Sequence, residues 1–361
     1  MNELRSIRIS TLVLLRLVVP YFCAEGLFRI LRFIESSPNS GEYELSISKF
    51  NELLPLSIQS FDESNIILFK YLIIACAVLS TIGLLGRLNL MIIAMLGFYF
   101  GGKLQGMGIY PHELALVCQM ALLLALLPGT LSLSIDEWML KRLSDGTRIL
   151  QASASQVKYG TRIALFLFAT IYFTAGVSKI RFGGTEWLNG STFNYYLTHS
   201  SLDLEKGDKQ LFIAADRGSL DEEEWRTEYP FVAHTYGNVR DSVKKIKLAA
   251  WVANNKVLII SIALFTVLVE LAGFMVFIGP MARNLYLFSI IGMHIGIEIL
   301  MGIDFSAYQF MALCLIDWRS LFQLLGGKVG NLRFFRYARV KLSVLFPHLA
   351  VPSSNGLGAA M

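Results

Sequence analysis

Nine ionisable side chains fall within or at the ends of long apolar runs: Arg16, Glu25, His112, Glu113, Lys179, Glu270, His294, Glu298 and Asp304. Such groups cost several kcal/mol in a bilayer, so they face a protein interior and are candidates for function. Lys179 closes the run Tyr172-Phe-Thr-Ala-Gly-Val-Ser-Lys179. A lysine in a partly desolvated site can act as a general base. A lysine at the end of a span can equally snorkel to the interface. Arg29 stands four residues after Glu25, so the two can pair on one helix face, a structural role. Arg16 is deeper and needs a carboxylate or carbonyls from another helix. Glu270 has no charge within one turn, so it is protonated or paired elsewhere, and Arg16 is one partner to consider. His294 and Glu298 share a helix face, and Asp304 ends that helix. With no second histidine at ligand spacing, no metal is predicted. Gly292 and Gly296 flank His294 at the spacing that permits close helix approach, as do Gly97 and Gly101.

The elements that carry these residues are long and apolar. Hydrophobic residues make up 54% of the 361 and charged ones 16%, against about 25% charged in soluble domains. Mean hydropathy is +0.54. These values exclude a soluble enzyme, a disordered chain and a disulfide-stapled secreted domain. Cys23, Cys76, Cys118 and Cys314 each lie in an apolar run without a CxxC pair, as small buried hydrophobes. The fold class expected is all-α, a polytopic helical membrane protein of about eight transmembrane helices with a short outer-face helical insertion. The spans fall near Ile9–Ile30, Asn65–Leu85, Leu88–Gln105, Pro111–Leu127, Gly160–Ile180, Val257–Ile278, Leu285–Ile303 and Phe305–Leu325. Asp317 and Arg319 interrupt the last.

Lysine and arginine set the orientation. Arg5 and Arg8 precede the first span. The 33–64 loop is acidic, the 128–159 loop carries Lys141, Arg142, Arg148 and Lys158, and the 317–361 segment carries six basic residues against Asp317. The excess of that last segment, 6 − 1 = +5, equals the net charge of the whole chain. It therefore reads as a cytoplasmic anchor, with no nucleic-acid partner. The expected protein is a multi-pass protein of the cell membrane with both termini cytoplasmic. Residues 1–325 form the bundle, 181–255 an extracytoplasmic insertion within it, and 326–361 a basic tail. Lys179 and His112 then lie on the outer side at similar depth. Asn189–Ser201 reads as an interfacial helix with Phe193, Tyr196 and Leu197 on one face. Arg240–Trp251 reads as a basic segment lying against headgroups.

Tyr172 to Lys179, followed by Trp187-Leu188-Asn189-Gly190 and Tyr195-Tyr196, resembles the horizontally transferred transmembrane (HTTM) superfamily, the membrane domain shared with vitamin K-dependent gamma-glutamyl carboxylase. Pro111-His112-Glu113-Leu114 through Leu131-Ser-Leu-Ser-Ile-Asp136 looks like its histidine-led helix and Ser-x-Asp turn. Glu270 and the block from His294 through Gly302-Ile-Asp-Phe-Ser306 look like its late signature. The resemblance implies a carboxylase-like, quinol-dependent enzyme acting on a peptide at the extracytoplasmic face. Lys179 would be the general base and His112 its helper. Tyr172, Trp187, Tyr196 and His294 would line a pocket for a reduced quinone such as vitamin K hydroquinone or menaquinol, leaving Arg16, Glu25, Glu270, Glu298 and Asp304 in structural polar roles. A single lysine follows Ser178 where the carboxylase has paired lysines. The compact size and the histidine-led late block look closer to bacterial members similar to the sporulation-delaying-protein B family. They imply the alternative of a membrane factor for maturation or export of a secreted toxin-like peptide, without carboxylase activity. The partners implied are the bilayer, a secreted peptide and a small co-encoded protein.

Overall fold

The computed structural model describes residues 2–36, 63–106, 112–143, 153–199, 212–213, 235–236 and 243–329. Apart from a two-residue antiparallel pairing of Phe212–Ile213 with Thr235–Tyr236, the regular elements of these residues are helical. In chain order they are α1 (Asn2–Ser36), α2 (Glu63–Ile82), α3 (Gly86–Gly106), α4 (His112–Leu126), α5 (Ile135–Leu143), α6 (Ala154–Ser178), a π-helical turn (Lys179–Gly183), α7 (Gly184–Leu188) and α8 (Ser191–His199). Then follow α9 (Val243–Ala253), α10 (Lys256–Leu271), a 3-10 turn (Ala272–Phe274), α11 (Met275–Ile278), α12 (Pro280–Met301), α13 (Ser306–Leu315) and α14 (Trp318–Val329).

Five helical stretches are long and apolar enough to cross a membrane: Thr11–Arg32, Asn65–Ile82, Ser155–Arg181, Lys256–Ile278 and Pro280–Met301. This is compatible with an integral membrane protein. The other three expected spans coincide with shorter apolar helices, Gly86–Gly102, Leu114–Leu126 and Ser306–Leu315. Among the described residues, five of the about eight expected spans thus reach that length. The last expected span, Phe305–Leu325, is broken in two. Asn284 binds the backbone of Asp317 at both its N–H (2.8 Å) and its carbonyl (3.0 Å), and the Asp317 carboxylate accepts from Ser320 N–H, starting α14. An aspartate that caps a helix start ends the preceding helix.

α1 is the hub and packs on α2, α3, α4, α6 and α13. Its inward residues Leu12, Leu15, Val19, Cys23, Leu27 and Leu31 recur at helical spacing and are fully buried. The opposite faces are apolar too. On α2, Leu68, Tyr71, Ile74, Val78 and Ile82 form an exposed stripe. A helix that is hydrophobic all round suits a lipid surrounding. α3 and α4 meet closely at Gly97, where a side chain would strike Cys118. The Gly292/Gly296 spacing behaves otherwise, since a Cβ at either position meets nothing within 4 Å. Those glycines open no helix contact because α12 turns them away from its neighbours.

The segment after Lys179 folds back on the bundle. Phe193 and Leu197 of α8 and Ala249 and Val252 of α9 are buried with Ile259 of α10 and Leu300, Met301 and Ile303 at the end of α12. Phe193 and Leu197 of α8 are therefore spent on protein contacts. On α9, Lys244 and Lys247 remain exposed.

Candidate functional site

Three cations in the apolar runs are each held differently. Arg16 is 2% exposed and donates to three backbone carbonyls, Thr130 (2.7 Å), Ser132 (3.0 Å) and Leu133 (2.9 Å). This answers its need for carbonyls and replaces the pairing with Glu270 considered from the sequence. The loop that offers them is built to do so. Leu133 adopts a left-handed φ of 56°, Ser134 bonds the Leu131 carbonyl and caps Glu137 N–H, and Asp136 accepts from Leu85 N–H and Gly86 N–H, both at 2.8 Å. The Ser-x-Asp turn is thus a clasp that starts α3 and α5 and aims carbonyls at α1.

Arg29 bridges Glu25 (2.6 Å) and Asp304 (2.7 Å). Asp304 sits in the turn between α12 and α13 and also accepts from Ser306 N–H (2.8 Å). Burial opposes its charge, but the hydrogen bonds from Arg29 and Ser306 prevail and hold the carboxyl below its ordinary value. The turn itself is possible because Gly302 ends α12 at a left-handed φ of 72°. It delivers Phe305 and Tyr308 onto His294.

Lys179 is the third cation, and its geometry differs. Its Nζ donates to Glu270 Oε1 at 2.7 Å, with side-chain exposures of 20% and 6%. It also lies 5.2 Å from the ring centroid of Trp187. The local backbone explains both contacts. α6 gives way at Lys179 to a π-helical turn, and α10 gives way just after Glu270 to a 3-10 turn. Gly176 lets the helices close, since a Cβ there would stand 3.0 Å from Glu270 Cβ. At Gly183 a side chain would strike Trp187, and Gly184 takes a left-handed φ of 48°. The pair of glycines therefore folds the indole back over the lysine. π turns inside helices are frequent at functional sites.

Two turns before Lys179, Tyr172 hydroxyl and His294 Nε2 are 2.7 Å apart, both residues buried. The imidazole packs at a tilt against Phe305, with centroids 4.3 Å apart, and against Tyr308 at 5.6 Å. Lys179 is in electrostatic reach of His294, and Glu270 of Tyr172 and Tyr286. Four buried polar atoms around this cluster have no hydrogen-bond partner among the described residues: Glu270 Oε2, His294 Nδ1, Tyr286 hydroxyl and Ser178 Oγ. Unfilled groups of this kind call for an explanation, since most buried polar atoms are paired.

The structure thus brings together Lys179, Glu270, Trp187, Tyr172 and His294. Glu298, one turn beyond His294, makes no hydrogen bond to it among the described residues. His112 opens α4 and Tyr196 lies in α8, but their side chains, like that of Glu113, fall outside the described part. Sequence reasoning had Glu270 as a structural residue and did not single out Tyr286, Phe305 or Tyr308. The available signal was Gly302, whose position past a helical run predicts a sharp turn that folds Phe305 and Tyr308 back on the histidine.

No family model matches the chain, and neither a curated protein nor a solved structure was found to be similar to it.

Proposed function

We propose that the protein is an HTTM-type membrane enzyme, carboxylase-like and quinol-dependent, in which Lys179 is the general base toward a reduced quinone at the extracytoplasmic face. The observation that carries the reading is the 2.7 Å contact between Lys179 Nζ and Glu270 Oε1. An amine and a carboxylate in hydrogen-bond contact can exchange a proton, and Glu270 Oε2 remains free to pass it on. The residues present fit a hydroxylated aromatic ring. Trp187 and Lys179 are only half-buried, aromatic faces line the cluster, and polar atoms without partners wait inside it. A reduced quinone, when bound, supplies two ionisable hydroxyls and two electrons. Lys179 Nζ would accept a hydroxyl proton while a proton moves from Nζ to Glu270 Oε1, so the pair gains one positive charge and the quinol oxygen is left with the balancing negative one. The Tyr172–His294 hydrogen bond would hold the inner wall, and the ring of Trp187 would limit water at Nζ. A peptide exposed at the outer face would be the second substrate, with His112 assisting.

The test is quinol oxidation by dissolved dioxygen, and carbon dioxide incorporation into peptide, in aerated proteoliposomes of wild type and Lys179→Ala. Turnover in the wild type and its loss in the variant support the reading. Equal rates overturn it. A second reading rests on the same ion pair seen as a brace. Lys179 capped by Glu270 and Trp187 would then fix α6 to α10 in a non-catalytic factor for maturation or export of a secreted peptide. In that case Lys179→Met/Glu270→Leu would preserve peptide secretion.

A further inference from the structure

A second recess lies at the other end of the bundle. It is a cleft of about 1010 Å³ between Thr11 of α1, the first turns of α6, the α11–α12 junction and the break between α13 and α14. Among the described residues its basic side chains are Lys158, Arg162, Arg283 and Arg319, and its carboxylate is that of Asp317. Among the described residues, four cations face one anion. Asp317 is held by Arg283 at 3.5 Å and by the Asn284 clamp, so this acid is tied into the wall. The rest of the wall carries Thr11, Thr161, Ser320 and Gln323 beside an apolar strip. Leu165, Val276 and Ile316 are inside, and Phe277 and Ile278 stand 52% and 67% exposed at the margin. Lys179 lies 17 residues beyond Arg162 along α6, about 25 Å for a helix, so the two sites are separate.

We infer that this cleft is a binding site for an anionic membrane lipid, its phosphate headgroup among Arg162, Lys158 and Arg319 and its acyl chain along Leu165, Phe277 and Ile278. Positive charge at the cytoplasmic side of a membrane protein is ordinary and on its own orients the chain. It does not account for a recess whose cationic rim continues into an apolar strip. A free phosphate satisfies the rim and leaves Phe277 and Ile278 without a partner. A lipid satisfies both halves, and guanidinium groups suit phosphate oxygens. Asn284 and Asp317, which shape the cleft, also break the chain between α13 and α14. The break in the expected last span is in this view what opens the site.

The experiment uses the full chain, delipidated in detergent, with dioleoyl phosphatidylglycerol or phosphatidylcholine of the same chains, read by native mass spectrometry. The expected result is preferential retention of phosphatidylglycerol. Its affinity falls on the order of thirtyfold in Arg162→Gln/Arg319→Gln, from about 1 kcal/mol per cation near an anionic headgroup. The same charge loss at Lys244→Gln/Lys247→Gln on α9 leaves it unchanged, and Arg162→Lys/Arg319→Lys retains most of it, which separates binding from misfolding. Equal binding of the two lipids overturns the inference. So does an unaltered affinity in the glutamine double variant, or displacement of the lipid by an equal concentration of inorganic phosphate.

Discussion

Arg16 and Lys179 are both cations inside the bundle, near its opposite ends, and they are held by different chemistry. Arg16 has backbone carbonyls around it, Lys179 a carboxylate. A guanidinium does not give up its proton in proteins and a carbonyl does not take one, so the Arg16 clasp can only hold. An amine and a carboxylate can trade a proton across 2.7 Å, so the Lys179 pair can hold and also react. The partner of a buried charge therefore says more about its role than its depth does.

The widest separation between the two sites is expected in stability. Arg16→Met strands three carbonyls and should cost on the order of 4 kcal/mol, read as a fall in the denaturant midpoint in detergent. Arg16→Lys should not restore it, because one ammonium cannot reproduce the planar fork. A midpoint within error of wild type would remove the clasp from the account. Next in size, Lys179→Met or Glu270→Leu alone should each cost about 3 kcal/mol by leaving a buried charge uncompensated. The double variant should recover most of that loss. Additive losses in the double-mutant cycle would mean the two groups do not act as a pair.

Tyr172→Phe removes one buried hydrogen bond to His294 and should cost about 1 kcal/mol, with a larger loss of quinol turnover than of fold. Equal, small effects on both would return Tyr172 to simple packing. The smallest effect belongs to Asp304. Its carboxyl is held below the ordinary value, so its contribution is present above the unfolded value near 4 and is lost as pH falls through the lower folded one. Unfolding midpoints measured from pH 5 downward should therefore fall below about pH 4 in the wild type and less steeply in Asp304→Asn.

Local relations were legible in the sequence and distant ones were not. Glu25 with Arg29 follows from helical spacing alone, and hydropathy places Lys179 at the end of its run. The partner of Lys179 is 91 residues away, and no periodicity in a single chain links α6 to α10. Gly292 and Gly296 have the spacing of a packing motif but not the contact, since a short pattern does not say which side of a helix meets a neighbour. The hydrophobicity of 305–325 outweighs two charges in a hydropathy window, while in the fold the Asn284–Asp317 clamp decides the matter by ending one helix and starting another. The glycines at 183 and 184 are ordinary loop residues by composition. Their purpose emerges only once Trp187 lies over Lys179.

The most direct test of the account is turnover by Lys179→Met/Glu270→Leu in quinol-loaded proteoliposomes, with its unfolding midpoint measured alongside. The double variant should be folded near wild-type stability and inactive, because the pair has been replaced as a brace but not as a proton acceptor. A folded double variant that oxidises quinol at the wild-type rate would contradict it.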